Sequence, residues 1–291
     1  MAAEIKTISV EKRIAPATLN SAEKCRRWCR RSGAFLVVAL FIASWCVPRH
    51  EGRVTRLGAA FLPILVLMVG AELTAEPGDR MTSNGRWRLR RGRPAERALL
   101  VRFGSLVLHG IIGVIAFRIL LDTRNPTGAA MQVARLAAGM ALLYAVAALI
   151  FGTCVFGCLL AGYSAPALHR TPLLARSLGE FWSQRWNIVV SSWFDTFVFQ
   201  PLARRGCARF GILCAFMVSG FFHAWPILAA SGIFGALSTM AFFLIQGAFV
   251  LSEHRLRIHT WPVALARTWT ISILLASSPL FFDPALRVFG L

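Results

Sequence analysis

The sequence predicts an all-α protein: a polytopic transmembrane helical bundle of about seven to eight spans, with one interfacial or re-entrant helix. Three observations lead there. Hydrophobic residues make up 56% of the 291 and charged residues only 15%, a balance suited to repeated bilayer crossings. Apolar runs near the roughly 20 residues that a bilayer core needs recur along the chain. The 32 basic residues behind the net charge of +19 are massed between those runs, as cytoplasmic loops are. In a soluble protein such a charge would point to nucleic acid. Here topology accounts for it, and no nucleic-acid partner is expected.

The elements follow in order. Residues 1–32 are a basic, cytoplasmic N-terminal segment that ends in Arg26, Arg27, Arg30 and Arg31. It is too long and too mixed for a signal-peptide n-region, so the short apolar run 33–47 is expected to stay as the first span. Residues 33–171 hold the N-terminal transmembrane helices. Within them the run 57–71, with Pro63, brings the chain back, and the loop 76–98 carries seven arginines, among them Arg86, Arg88, Arg90, Arg91 and Arg93. That loop is the strongest inside marker. The run 99–121 leads out and 131–164 returns, with Arg124 alone in charge between 123 and 130. The last run suits one tilted helix or a helix plus a half-helix, and Gly152, Gly157 and Gly162 permit close packing or a break.

Residues 172–253 differ in kind. Ser177 and Glu180 have the spacing of a capping box, in which hydroxyl and carboxylate each bond the other's backbone N–H. On the helix that follows, Trp182 and Trp186 are four apart and are expected to share a face, with Phe181 and Arg185 beside it. Such aromatic rings favour the headgroup level. The run 188–202 is interrupted by Asp195, so the run is expected to be buried in protein, with Asp195 paired to an arginine such as Arg185 or Arg204. No formal charge occurs from 210 to 252, room for two crossings with a turn near Ser231 and Gly232. Residues 254–291 supply a basic loop and the last span, 261–282.

A polar side chain at bilayer depth costs on the order of a few kcal/mol unless satisfied, so each one needs a reason. His223 lies mid-span among Phe221, Phe222 and Trp225, with Pro226 loosening the backbone. A buried neutral imidazole can accept a proton or simply bond a neighbouring helix. Asn187 can donate to a reacting group or merely cap a helix. His109 reads as interhelical glue, Gln246 as packing and Glu253 as a partner for a loop or helix end. Most of the seven cysteines, Cys46, Cys154, Cys158, Cys207 and Cys214 among them, are expected to be small buried hydrophobes. No metal site is expected, since Cys154 and Cys158 lack a matching His or Cys pair.

Pro172, the run Ser-Leu-Gly-Glu-Phe-Trp-Ser-Gln-Arg-Trp-Asn from Ser177 to Asn187, Pro201, Ser219-Gly220 with His223, and Gln246-Gly247 followed by Glu253 together form a pattern. It resembles the wax-synthase-like branch of the membrane-bound O-acyltransferases. The resemblance covers about 172–253. It implies transfer of an acyl group from acyl-CoA, a donor substrate and not a cofactor, to a hydroxyl acceptor: a long-chain alcohol, another lipid alcohol or a hydroxylated metabolite. By position it implies His223 as catalytic base and Asn187 as its paired asparagine. Trp182, Trp186, Phe222, Trp225 and Gln246 would contact substrate, and Arg185 the coenzyme A phosphates. Two departures bear on the acceptor: Ala224 stands where some relatives have an acidic residue, and Ser192 to Asp195 lacks a basic one.

The chemistry of the residue types agrees. An alcohol attacking a thioester needs a base at its hydroxyl and a donor for the oxyanion, and no Gly-x-Ser-x-Gly elbow offers an acyl-enzyme route. From the residues alone a second reading stays open: a non-catalytic transporter or scaffold in which His223 lines a polar path. Lipids surround the protein in either case. The arginine-rich usage points to a bacterial inner membrane, or to endoplasmic reticulum in a eukaryote.

Overall fold

The computed structural model describes residues 37–44, 46–48, 52–74, 90–91, 96–125, 127–164 and 169–291. In chain order the helices are α1 (37–44), α2 (Arg53–Thr74), α3 (Glu96–Asp122), α4 (Ala129–Leu160), α5 (Leu178–Glu180), α6 (Ile188–Phe194), α7 (Gln200–Ala203), α8 (Ala208–Ser231), α9 (Ile233–Leu256), α10 (Val263–Ser277) and α11 (Pro279–Val288). Among the described residues the one ladder, β1 (Arg90–Arg91) with β2 (Tyr163–Ser164), is two residues long. Among the described residues, five helices, α2, α3, α4, α8 and α9, are long and apolar enough to cross a bilayer, and a sixth span results if α10 and α11 count as one across their 44° bend. The protein is thus a multi-pass integral membrane protein.

Five or six spans are found among the described residues, where seven to eight are expected for the whole chain. The expected first span, 33–47, falls partly outside the described residues, which show helix at 37–44. Most of the arginine loop 76–98 also lies outside them. The run 131–164 resolves to one unbroken helix of 32 residues, α4. Its three glycines divide the roles foreseen for them. A β-carbon at Gly152 would fall 2.8 Å from Leu106 Cδ2 of α3, Gly157 faces open space, and Gly162 takes φ +80° just past the helix end. Only glycine adopts that last conformation without strain.

Two hairpins build the bundle. In the first, α3 packs along α4, and the Arg135 guanidinium donates to the Thr123 carbonyl at 3.3 Å near the C-terminal end of α3, where a cation meets the negative end of the helix. In the second, α8 turns into α9 at Gly232, φ +91°, where the sequence placed it. The two helices come close because a β-carbon at Gly220 would sit 2.7 Å from Met240 Sδ, and one at Gly247 3.0 Å from Phe216 Cβ. Without a hydrophobic drive between helices in lipid, such backbone proximity is what holds them.

α2 lies on α8, and Ile64, Trp193, Phe194 and Phe222 form the core there. The Trp193 indole N–H donates to the Met68 carbonyl at 3.1 Å. α11 crosses to α9, α8 and α4, joining Leu286 to Ala116, Leu120 and Ala138. Between the hairpins lies the stretch 172–203, too short in any one piece to span. Ile188, Ser192, Trp193, Phe194 and Thr196 within it are buried, as expected of an apolar run surrounded by protein. Cys46, Cys154 and Cys207, in contrast, are exposed on the outside of the bundle. In lipid, apolarity does not imply burial in the protein, which is why that expectation fails.

Candidate active site

The motif begins as the sequence predicts and then departs from it. The Ser177 hydroxyl accepts from the Glu180 N–H at 2.9 Å, but Glu180 does not close the box on Ser177. Its Oε2 accepts from the Arg176 N–H at 2.7 Å and its Oε1 from Arg185 Nε at 2.7 Å. Burial raises the Glu180 pKa, but the Arg176 N–H and the Arg185 guanidinium outweigh it and leave the carboxyl below its usual value. Past Glu180 the helix widens to a π-turn at Phe181–Arg185, closed by Trp186 N–H donating to the Phe181 carbonyl at 2.8 Å. Trp186 is extended and Asn187 left-handed, φ +40°.

That turn overturns the expected shared face. Residues four apart align only where the helix stays α, and a π-turn adds a residue to the loop. Trp182 points toward α8 and α9, edge-on to Phe216 and Phe242 and 6.1 Å from Phe243. Trp186 stacks on Phe181 at 5.7 Å and 12° and touches His169 and Tyr144. Arg185 is not Phe181's companion but a clamp: besides its ion pair with Glu180, Nη1 donates to the carbonyls of Arg170 and Thr171 and to Thr171 Oγ1, at 3.0, 3.3 and 3.0 Å.

α9 grips the motif at two points spaced two turns apart. Glu253, buried, accepts the Leu178 N–H on Oε1 at 2.7 Å and the Gly179 N–H on Oε2 at 3.0 Å. Trp269 Nε1 adds a third bond to Oε1 at 3.3 Å. A carboxylate at the first amides of a helix satisfies donors that have no partner inside it. Gln246, fully buried, accepts from Trp182 Nε1 at 3.0 Å and donates through Nε2 to Ser277 Oγ at 2.8 Å. One side chain thereby ties the motif to α10.

His223 and Asn187 are held differently. On α8, His223 Nδ1 lies 2.8 Å from the Ser219 carbonyl. A carbonyl can only accept, so the proton is on Nδ1 and Nε2 carries the lone pair. The ring lies 4.6 Å from Phe243 and 5.6 Å from Phe281. Asn187 caps α6, its Oδ1 accepting the Val190 N–H at 3.4 Å. Asparagine tolerates the left-handed conformation and bonds its own following backbone. With Oδ1 so engaged, the Nδ2 amide is a donor for which the described residues supply no hydrogen bond. Nor does one join Asn187 to His223. The rings that connect their surroundings are Trp182 on Phe243 and Phe243 on His223.

The expected substrate-contacting residues fall into separate neighbourhoods. Trp182 and Gln246 are bonded to each other, and Trp186 adjoins Asn187. Phe222 belongs to the α2 core. Trp225 donates to Ser44 Oγ at 3.3 Å and lies 5.1 Å from Phe41 of α1. On a helix successive residues are about 100° apart, so neighbours of His223 in sequence face elsewhere.

The sequence reading missed His169, Tyr144, Phe243 and Phe281. His169 Nδ1 accepts the Asn187 backbone N–H at 3.1 Å. Burial, and then the nearby His109, hold its pKa down to about 4. Its ring is 4.8 Å from Trp186 and 5.3 Å from Tyr144, which in turn is 5.2 Å from His109. The available signals were an imidazole shortly before the motif and one of only two tyrosines in the chain set in an apolar helix.

Comparison with known proteins shows what this region is similar to. Residues 165–245 match the model described as "Membrane bound O-acyl transferase family". Among curated proteins the chain is similar to three from Arabidopsis thaliana. It is 29% identical over 154 residues to "Probable long-chain-alcohol O-fatty-acyltransferase 7", covering 47% of this chain and 44% of that one. It is 29% identical over 131 residues to the protein numbered 3, with 40% and 38% covered, and 30% identical over 128 residues to the one numbered 9, with 39% and 38% covered. The chain spans less than half the length of these relatives.

Proposed function

We infer, from the match of residues 165–245 to the membrane-bound O-acyltransferase family and the chain's similarity to long-chain-alcohol O-fatty-acyltransferases, that this protein transfers an acyl group from acyl-CoA to an alcohol within the bilayer. The observation that carries the reading is the hydrogen bond from His223 Nδ1 to the Ser219 carbonyl. It leaves Nε2 as a base inside an apolar helix pair. The acceptor is a long-chain alcohol, the class printed in the relatives' names, or another hydroxylated lipid or metabolite.

In the reaction, Nε2 of His223 takes the hydroxyl proton as the alcohol oxygen bonds to the thioester carbonyl carbon. General-base help of this kind contributes about 10² to 10⁴ in rate. The carbonyl oxygen becomes an oxyanion, and Asn187 Nδ2–H is the donor offered to it. Collapse of the intermediate breaks the carbon–sulfur bond, and the departing coenzyme A thiolate recovers the proton from the imidazolium. Ester and free CoA leave in equal amounts. The exposed basic turn at Arg204, Arg205 and Arg209 supplies charge of the sign that CoA phosphates need, whereas Arg185 is engaged with Glu180, Arg170 and Thr171.

The test is to incubate membranes containing the protein with labelled acyl-CoA and a panel of alcohols, following ester and free CoA together. Matching amounts of both, lost in His223→Ala, are expected. Ester formation that survives in inserted His223→Ala membranes would sink the assignment of the base, and no ester with any alcohol would sink the activity.

A further inference from the structure

The left-handed turn at Asn187 has a holder. The π-turn uses its last backbone bond at Trp186, so the Asn187 N–H points outside the helix that precedes it, and His169 Nδ1 receives it at 3.1 Å. The loop that carries His169 is itself laid in register on the motif. Arg170 N–H donates to the Arg185 carbonyl at 2.9 Å, and Arg185 Nη1 returns a bond to the Arg170 carbonyl at 3.0 Å. The imidazole is fixed by Trp186 and by Tyr144 of α4, and Tyr144 meets His109 of α3. One ring thus connects the α3–α4 hairpin to the residue that follows the motif's last tryptophan.

We propose that His169 is a positioning residue for acyl transfer: its Nδ1 accepts the Asn187 backbone N–H, holds the left-handed turn, and so sets where the Asn187 carboxamide points. The inference rests on the acyltransferase reading above. The donor here is a backbone N–H, so Nδ1 must be bare and the proton must sit on Nε2. His223 is the opposite case, since its partner is a carbonyl. A ring whose pKa is held to about 4 stays in that accepting form at neutral pH. The Asn187 side chain spends Oδ1 on Val190, so the direction of Nδ2 follows from the backbone angles at one residue, and those angles rest on the His169 bond. Displacement of a reacting group by about 1 Å can cost on the order of 10²-fold in rate.

Three variants separate the contributions. His169→Phe keeps a ring between Trp186 and Tyr144 and removes the acceptor. His169→Asn removes the ring and places a carboxamide oxygen near the position of Nδ1. His169→Leu has the shape of the asparagine without its acceptor, and it replaces the phenylalanine variant if that one does not insert. With labelled acyl-CoA and a long-chain alcohol, His169→Phe is expected to lower kcat about tenfold to a hundredfold with KM for acyl-CoA within about twofold. His169→Asn is expected to recover to within about threefold of wild type.

Deuterium exchange over residues 184–190, read by mass spectrometry, follows the Asn187 amide without reference to activity. Exchange should quicken in His169→Phe and slow again in His169→Asn. An unchanged kcat in His169→Phe, an effect on KM alone, or exchange that ignores the acceptor would each overturn the proposal. A wild-type protein that makes no ester, yet shows the exchange pattern, would fail the acyltransferase reading and leave the His169–Asn187 bond standing.

Discussion

Two pairs of polar side chains, one buried in the bundle and one partly buried, are treated in opposite ways. Gln246 and Glu253 of α9 are saturated: the amide bonds at both ends, and the carboxylate takes three N–H groups. Asn187 and His223 are each bonded through one heteroatom of the side chain and have the other left over. A polar group buried in apolar surroundings is costly until satisfied, so the saturated pair serves the fold. The half-satisfied pair, partly exposed, retains among the described residues a free donor on Asn187 Nδ2 and a free acceptor on His223 Nε2. The contrast teaches that α9 is tied to the motif through side chains whose heteroatoms are all bonded, whereas Asn187 Nδ2 and His223 Nε2 keep their bonding capacity. An unbonded atom does not by itself mark a working residue, since His169 Nε2 is buried without a partner among the described residues too.

The largest expected effect breaks the comparison at His223. His223→Ala removes the bare Nε2 and should lower ester formation by about 10² to 10⁴, with insertion retained because the ring makes one hydrogen bond to its own helix. Activity close to wild type would place the base elsewhere. Next comes Asn187→Asp, which keeps an acceptor for the Val190 N–H and discards the Nδ2 donor. A fall of about 10² to 10³ in kcat is expected, with α6 still capped. If transfer is insensitive to this exchange, the donor role is lost.

The saturated pair should respond in stability instead. Glu253→Gln keeps one acceptor oxygen and leaves one N–H at the start of the motif without its charged partner, a loss of about 1 to 3 kcal/mol, read as a lower unfolding temperature in detergent. Trp182→Phe strands Gln246 Oε1 and should cost a similar amount. Either variant losing transfer without losing stability would erase the distinction between the pairs.

The smallest effect is in pH. The His169 pKa lies below its unfolded value of 6.5, at about 4, so the unfolded chain takes the proton first. Stability conferred by the neutral ring is present above pH 6.5, declines as pH falls from there, and is lost through pH 4. The unfolding temperature should slope downward across that window in wild type, and the slope should lessen in His169→Asn. A slope unchanged by the substitution would assign it to other groups.

The legible parts were those written locally. Ser177 caps the motif because a hydroxyl three residues ahead of an N–H reaches it from any fold, and Gly232 turns the α8–α9 hairpin because the positive φ there suits glycine. The apolar runs mark α2, α3, α4, α8 and α9 by their length alone. Illegible were features settled between distant segments. The carboxylate of Glu180 had a nearer claimant in Arg176 and Arg185 than in Ser177, and spacing in the chain cannot rank such partners.

By itself, then, the sequence determined that the chain crosses a membrane several times, that 172–253 differs in kind from the apolar runs before it, and that an Asn and a His within it stand apart from their apolar surroundings. These follow from composition, charge placement and residue type, which act within a few residues of chain. Only the tertiary structure decided that a π-turn sends Trp182 and Trp186 to different neighbours, that α9 holds the motif through Gln246 and Glu253, and that His169 supports Asn187. Each of those depends on which helices come to lie side by side. Hydrogen bonds reach only about 3 Å, so they are settled by that packing and not by position along the chain.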